Sequence, residues 1–208
     1  MHQIVAQIIQ LAVDVLIAWL VFRYYKERQF PAGERYSTFG PRFWTGTVDA
    51  CVIWPLSFVL TLLFTLHLPT AVSVVLIIIQ NLAWLAYTVV MHAKYGQTVG
   101  KMVCKVRVVD HGTEGAISVR QACLREGIPL LLSFGLVAYE VYMLCVGKFS
   151  DEPQAQGEMA KSAAFWWLAA LPMLWFFAEV VTMLTNEKRR ALHDMIAGTV
   201  VVRTNVSE

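Results

Sequence analysis

Four carboxylates, Asp14, Asp49, Glu140 and Glu179, lie inside long apolar stretches or at their mouths. On insertion scales a carboxylate at mid-bilayer costs about 2.5–3.5 kcal/mol, so it faces protein or water and takes a partner. Burial lifts its pKa toward neutrality, which makes reversible protonation available. These side chains are therefore candidates for binding a small cation or relaying protons between helices. The competing reading is a structural pair that fixes helix packing, such as Arg42 with Asp49. Those two stand seven residues apart, which is two turns and about 10 Å of rise along one helical face. Arg42 reaches toward Asp49 only if the helix extends back to position 42. Pro172 frees a backbone carbonyl about one turn earlier, and Glu179 follows two turns later. A kinked helix beside an ionisable group is a transporter-like feature, although ordinary membrane helices kink at proline too.

Other chemistries find little support. Gly96–Lys101 invites comparison with a phosphate loop, which needs four residues between its glycines and Ser or Thr after Lys. Here there are three, and Met102 follows Lys101. The segment reads as a tight turn from helix to strand. His2, His67, His92, His111 and His193 form no i,i+4 metal pair, and only His193, beside Asp194, merits a test. Cys51, Cys104, Cys123 and Cys145 fall in no CxxC pair or Cys/His metal spacing, so no metal or other cofactor is expected. Without a Ser/His/Asp arrangement or nucleophile elbow, an enzyme is not expected either. Lys101, Lys105 and Arg107 read as a membrane-facing patch attracted to anionic lipid headgroups. Aromatic residues are not interleaved with this patch, so nucleic acid is not an expected partner.

The elements that must position these groups follow from hydropathy. The chain is 57% hydrophobic and 15% charged, with a mean hydropathy of +0.55, whereas soluble domains carry about 25% charged residues. A spanning helix needs about 20 mostly apolar residues. Five stretches meet or approach that: Ile4–Phe22, Thr47–Leu66, Ala71–Met91, Gly127–Val146 and Ala163–Leu184. A four-residue link, His67–Thr70, joins the second to the third. The runs lack the alternation of a membrane barrel, and the first has neither the basic flank nor the layout of a cleaved signal. Every Lys and Arg except Lys148 and Lys161 falls before the second run, between the third and fourth, or after the fifth. Because cytoplasmic loops collect Lys and Arg, those three segments are expected in the cytoplasm. The N-terminus and the 147–162 loop are then outside. Trp19, Tyr24, Tyr25, Trp44, Tyr87, Tyr95, Trp166 and Trp167 lie near span ends, where such rings favour headgroups. Met102–Val109 alternates like a half-buried strand, with Met102, Cys104, Val106 and Val108 on one face. Thr199–Arg203 is a second short strand. Asp110–Gly112 reads as a turn, and Ser118 with Gln121 makes a capping box. The expected fold is an all-α membrane bundle of about five helices, N-terminus outside and C-terminus cytoplasmic, with a small cytoplasmic β element. Asp194 is a natural partner for Arg42, since both belong to the same side.

Three motifs in order carry a family resemblance: Arg42-Phe43-Trp44-Thr45-Gly46-Thr47-Val48-Asp49; Gly96–Lys101 with Val106–Asp110, then Arg120 and Arg125; and Arg190–Val201, which holds His193-Asp194. Together they resemble the RDD family of bacterial membrane proteins, named for one Arg and two Asp. The resemblance covers about residues 40–203, with an additional helix and basic linker at 1–39 and a tail at 204–208. It implies that Arg42, Asp49 and Asp194 are the signature residues and that the chain sits in the bacterial cytoplasmic (inner) membrane. Thr45 and Gly46 depart from the apolar or Ala residues expected there. Some members have been linked to sodium–proton exchange. The function expected is transport of a small cation or proton through a carboxylate-containing helix interface, with homo-oligomerisation because five spans leave little room for alternating access. The alternative is a non-catalytic scaffold whose basic cytoplasmic face binds protein or lipid.

Overall fold

The computed structural model describes residues 2–66, 68–147 and 161–207; His67, Lys148 and most of the 147–162 loop lie outside them. In chain order the elements are α1 (His2–Lys26), β1 (Phe30–Pro31), α2 (Phe39–Phe64), α3 (Thr70–Tyr95), α4 (Val99–Val103), β2 (Val106–Asp110), α5 (Val119–Cys145), α6 (Ala163–Thr185), α7 (Leu192–Ala197), β3 (Thr199–Arg203) and β4 (Val206–Ser207). Among them α1, α2, α3, α5 and α6 are long and apolar enough to cross a membrane. They pack as a row, α1 on α2, α2 on α3, α3 on α5 and α5 on α6.

The long helices run past the apolar stretches at one common end. α2 begins at Phe39 rather than Thr47, α3 ends at Tyr95 rather than Met91, and α5 begins at Val119 rather than Gly127. The extensions carry polar residues that hydropathy rejects. They are held by protein packing instead of lipid, and Ser118 and Gln121 form the capping box that starts α5. Pro41 falls in the first turn of α2, where a missing N–H is tolerated.

A small cap closes this end. β2 and β3 pair antiparallel from Val106↔Arg203 to Asp110↔Thr199. β1 pairs in parallel with β4, which ties the basic linker to the C-terminal tail. The inner face of β2–β3 buries Val106, Val108 and Val201 with Cys104 against Val21, Tyr25, Val48 and Ala122. The outer face packs Val109, Val200 and Val202 against Tyr36. With both faces covered, the alternation read from Met102 is interrupted. Met102 and Val103 belong to α4, and Met102 is exposed. Two aromatic residues also depart from the headgroup zone. Tyr25 is buried beneath the cap beside Phe30, and Tyr87 points to Asp49. Each has a cap or loop partner that competes with the interface.

Candidate functional site

The three basic segments converge at the capped end, and Asp194 lies at their meeting point with no side-chain exposure. It sits in the first turn of α7, and its Oδ2 accepts from the Ala191 backbone N–H at 2.9 Å. The same oxygen lies 2.7 Å from Arg42 Nη2. Its Oδ1 accepts from Arg125 Nη1 and from Thr199 Oγ1 at 3.2 Å. Burial alone would raise the pKa of Asp194, but the guanidinium groups of Arg125 and Arg42 overcome it and hold the carboxyl well below its usual range. Arg190 encloses the turn, donating to the carbonyls of Thr199 at 2.9 Å and Asp194 at 3.1 Å.

His193 extends this centre into α6. Its Nδ1 contacts Glu179 Oε1, which also accepts from Trp175 Nε1 at 2.9 Å. Its Nε2 lies 3.2 Å from Arg42 Nη2 and 3.6 Å from Asp194 Oδ1. Arg42 can only donate, so the contacts assign a neutral ring with Nδ1–H toward Glu179 and a lone pair toward Arg42. Burial and the nearby Arg125 push the pKa of His193 down, with Arg42 adding to the effect and Asp194 and Glu179 opposing it. A base depressed in the fold binds its proton less readily there than in the unfolded chain. Stability is therefore complete above the ordinary histidine pKa of about 6.5 and falls as pH drops below it. Thermal denaturation of purified protein across that window should show wild type losing more melting temperature than His193→Gln, the difference between the two isolating this group.

Asp49 occupies a separate pocket nearly three turns into α2. Its Oδ1 accepts from Tyr87 Oη at 2.6 Å and from the Gly100 backbone N–H at 2.7 Å, and its Oδ2 from Thr98 Oγ1 at 2.7 Å. The helix does extend back to Arg42, yet Arg42 turns to Asp194 and Asp49 to the Gly96–Lys101 segment. This explains the spacing of the two glycines. Gly96 ends α3 in a left-handed conformation at φ +67°, which favours glycine. At Gly100 a Cβ would collide with the Thr45 carbonyl oxygen and crowd the Asp49 carboxylate at 3.0 Å.

A second set of charges joins these centres. Arg125 Nε lies 3.6 Å from Glu126 Oε1, and His92 Nδ1 lies 3.0 Å from the same oxygen. Lys101 is buried at 9% exposure. Burial, then Arg125, lowers its pKa to about 8, while Glu126 and Asp49 oppose the shift. Lys101 therefore does not belong to a lipid-facing patch with Lys105 and Arg107. α4 turns it inward, whereas Arg107 is exposed on the outer face of β2.

An Arg on α2, an Asp one helical stretch along it and an Asp beyond the last span thus frame one capped end. The RDD family model matches residues 36–198. The chain belongs to the RDD family. No curated protein and no solved structure matches it. In this RDD protein the four carboxylates read from the sequence do not share one cavity. Glu179 joins the Asp194 centre through His193, and Asp49 lies next to it across Lys101. Asp14 is half-buried on α1 and accepts from Gln10 at 3.0 Å. Glu140 lies 21 residues beyond the start of α5, about 30 Å from the capped end, and is half-buried with no polar partner among the described residues. Sequence reading missed Glu126, noted His92 only as one of the histidines without a metal pair, and named Arg125 only within a motif. The available signal was the adjacent Arg125-Glu126 pair just before an apolar run, a place where charges need internal partners.

Proposed function

We propose that this RDD protein handles protons or a small cation at the Glu179–His193–Arg42–Asp194 relay, as a transporter of the bacterial inner membrane with its capped end in the cytoplasm. The observation that supports this reading is the position of His193, a half-buried titratable ring between a carboxylate of a spanning helix and an ionised Arg–Asp pair. A proton arriving at His193 turns Nε2 from an acceptor for Arg42 into a donor. The ring must then leave the guanidinium and engage Asp194 Oδ1, 3.6 Å away. Arg42 loses one contact, and the hold of α2 on α7 loosens. Asp194 stays ionised throughout, because its two arginines keep it so. The reading is one of binding and translocation without bond-making chemistry, carried out by an oligomer of identical chains.

Reconstitution in liposomes with an entrapped pH dye tests this. Wild type should dissipate an imposed proton gradient faster than empty liposomes, with a rate that responds to the cation on the opposite side. Glu179→Gln and His193→Gln should return the rate to background while leaving the melting profile near neutral pH intact. Gln at 193 can still bridge Arg42 and Glu179 but cannot carry the proton. Wild-type rates no higher than those of empty liposomes would reject the reading. The scaffold alternative draws on a different observation, the saturation of Asp49 by three internal donors, which is the arrangement of a brace. It expects no flux and the loss of a co-purifying protein or lipid when Lys105 and Arg107 are neutralised.

A further inference from the structure

A cleft of about 330 Å3 opens between α3 and α5, lined by Asn81, Trp84, Thr88, Glu126, Pro129 and Ser133 among others. Glu126 places its floor on the buried charge network, and Ser133, seven residues further along α5, places its upper end about 10 Å toward mid-bilayer. We propose that this cleft binds a small organic ammonium ion, with Glu126 as its counter-charge and Trp84 as its aromatic face. The proposal rests on the cation-handling reading above and names the class of cation.

Size and lining decide the class. A water occupies about 30 Å3, so the cleft holds roughly ten waters' volume, far more than a bare alkali ion fills. It falls at the lower end of small-molecule pockets, about 300–1,000 Å3. The cleft's hydroxyls give their protons to the helix backbone and keep only oxygen lone pairs for a bound cation. Thr88 Oγ1 donates to the carbonyl of Trp84, and Ser133 Oγ to that of Pro129. A single carboxylate suits a single positive charge, whereas calcium takes six to eight oxygen ligands, several of them carboxylates. The remaining walls, Trp84, Leu85, Pro129 and Leu130, offer what an alkylated ammonium needs: an aromatic face for the charge and apolar surface for the carbon groups. Asn81 donates through Nδ2 to the carbonyl of Ile77 at 2.9 Å. Its Oδ1 has no donor among the described residues, so it is available to an ammonium N–H.

Purified full-length protein in lipid nanodiscs should melt at a higher temperature in tetramethylammonium or ethylammonium chloride than in sodium or potassium chloride of equal ionic strength. Trp84→Leu should weaken the half-saturating concentration at least about tenfold, and Trp84→Phe much less, as expected when a π face holds a desolvated cation. Glu126→Gln should abolish the shift. Because Glu126 also meets His92 and Arg125, Ser133→Leu supplies a second test by filling the upper cleft, and it too should remove the shift. Equal shifts in sodium chloride, or a shift that survives Ser133→Leu, would overturn the proposal. Proton flux lost in Glu179→Gln without any ammonium-specific shift would sink this inference alone. An ammonium shift in a protein without flux would sink the transport reading and leave the site.

Discussion

Asp194→Asn is expected to destabilise the folded chain by about 3–5 kcal/mol, the scale for removing one partner of a buried ion pair. The effect is this large because one carboxylate serves two guanidiniums. Arg42 and Arg125 have side chains exposed at only 9% and 3%, and an amide leaves both charges buried without their shared counter-ion. It also places an N–H2 where one of them donated. Arg42→Met should cost distinctly less, since Asp194 keeps Arg125, Thr199 Oγ1 and the Ala191 N–H. Arg125→Met should fall between, because it also deprives Glu126 of a neighbour. The charge swap Arg42→Asp with Asp194→Arg should fail to rescue stability, as it sets a new Arg beside Arg125. Chemical denaturation in mild detergent, followed by Trp fluorescence, ranks the variants. Equal losses for Arg42→Met and Asp194→Asn would contradict a shared carboxylate.

The parts of this fold that lipid dictates were legible in the sequence, and the parts that protein packing dictates were not. Five apolar runs gave five spans because hydrocarbon tolerates little else. The side chosen by Lys and Arg gave the end at which the cap forms. Strand β2 was legible at Val106 and Val108, which face inward, and the alternation was lost where α4 takes over at Met102 and Val103. Lys101 shows the limit most clearly. A lysine in a basic, loop-like segment reads as solvated, and only the inward turn of α4, set by Gly100 against Thr45, places it among Asp49, Glu126 and Arg125. The same holds for the candidate site. Arg42, Asp194, Glu179 and His193 were each noticed, but their meeting depends on α7 folding back onto α2 and α6. No spacing within one segment encodes that contact. Glu126 was missed and His92 was set aside because they lie on different helices and acquire meaning only through each other.

Asp49 gives the second large effect and separates a brace from an ion ligand. Asp49→Leu leaves Tyr87 Oη, Thr98 Oγ1 and the Gly100 N–H without an acceptor in a buried pocket. Each orphaned donor costs about 1–3 kcal/mol, so even with relaxation the loss should be at least about 3 kcal/mol. Asp49→Asn has a different outcome. Its oxygen can keep both Oδ1 partners, Tyr87 and Gly100, while its N–H2 donates to Thr98 Oγ1, whose hydroxyl rotates to suit. This variant should cost about 1 kcal/mol, the net value of a typical hydrogen bond, and should retain the flux of wild type. Gly100→Ala should resemble Asp49→Leu rather than Asp49→Asn, since its methyl group meets the Thr45 carbonyl and forces α4 off α2. If Asp49 were instead an ion ligand, Asp49→Asn would fold normally and abolish flux. Melting temperature and proton flux measured on the same preparation of Asp49→Asn therefore distinguish the two roles, because in the brace reading the amide lowers melting slightly and keeps the flux, and in the ligand reading it keeps the melting and abolishes the flux.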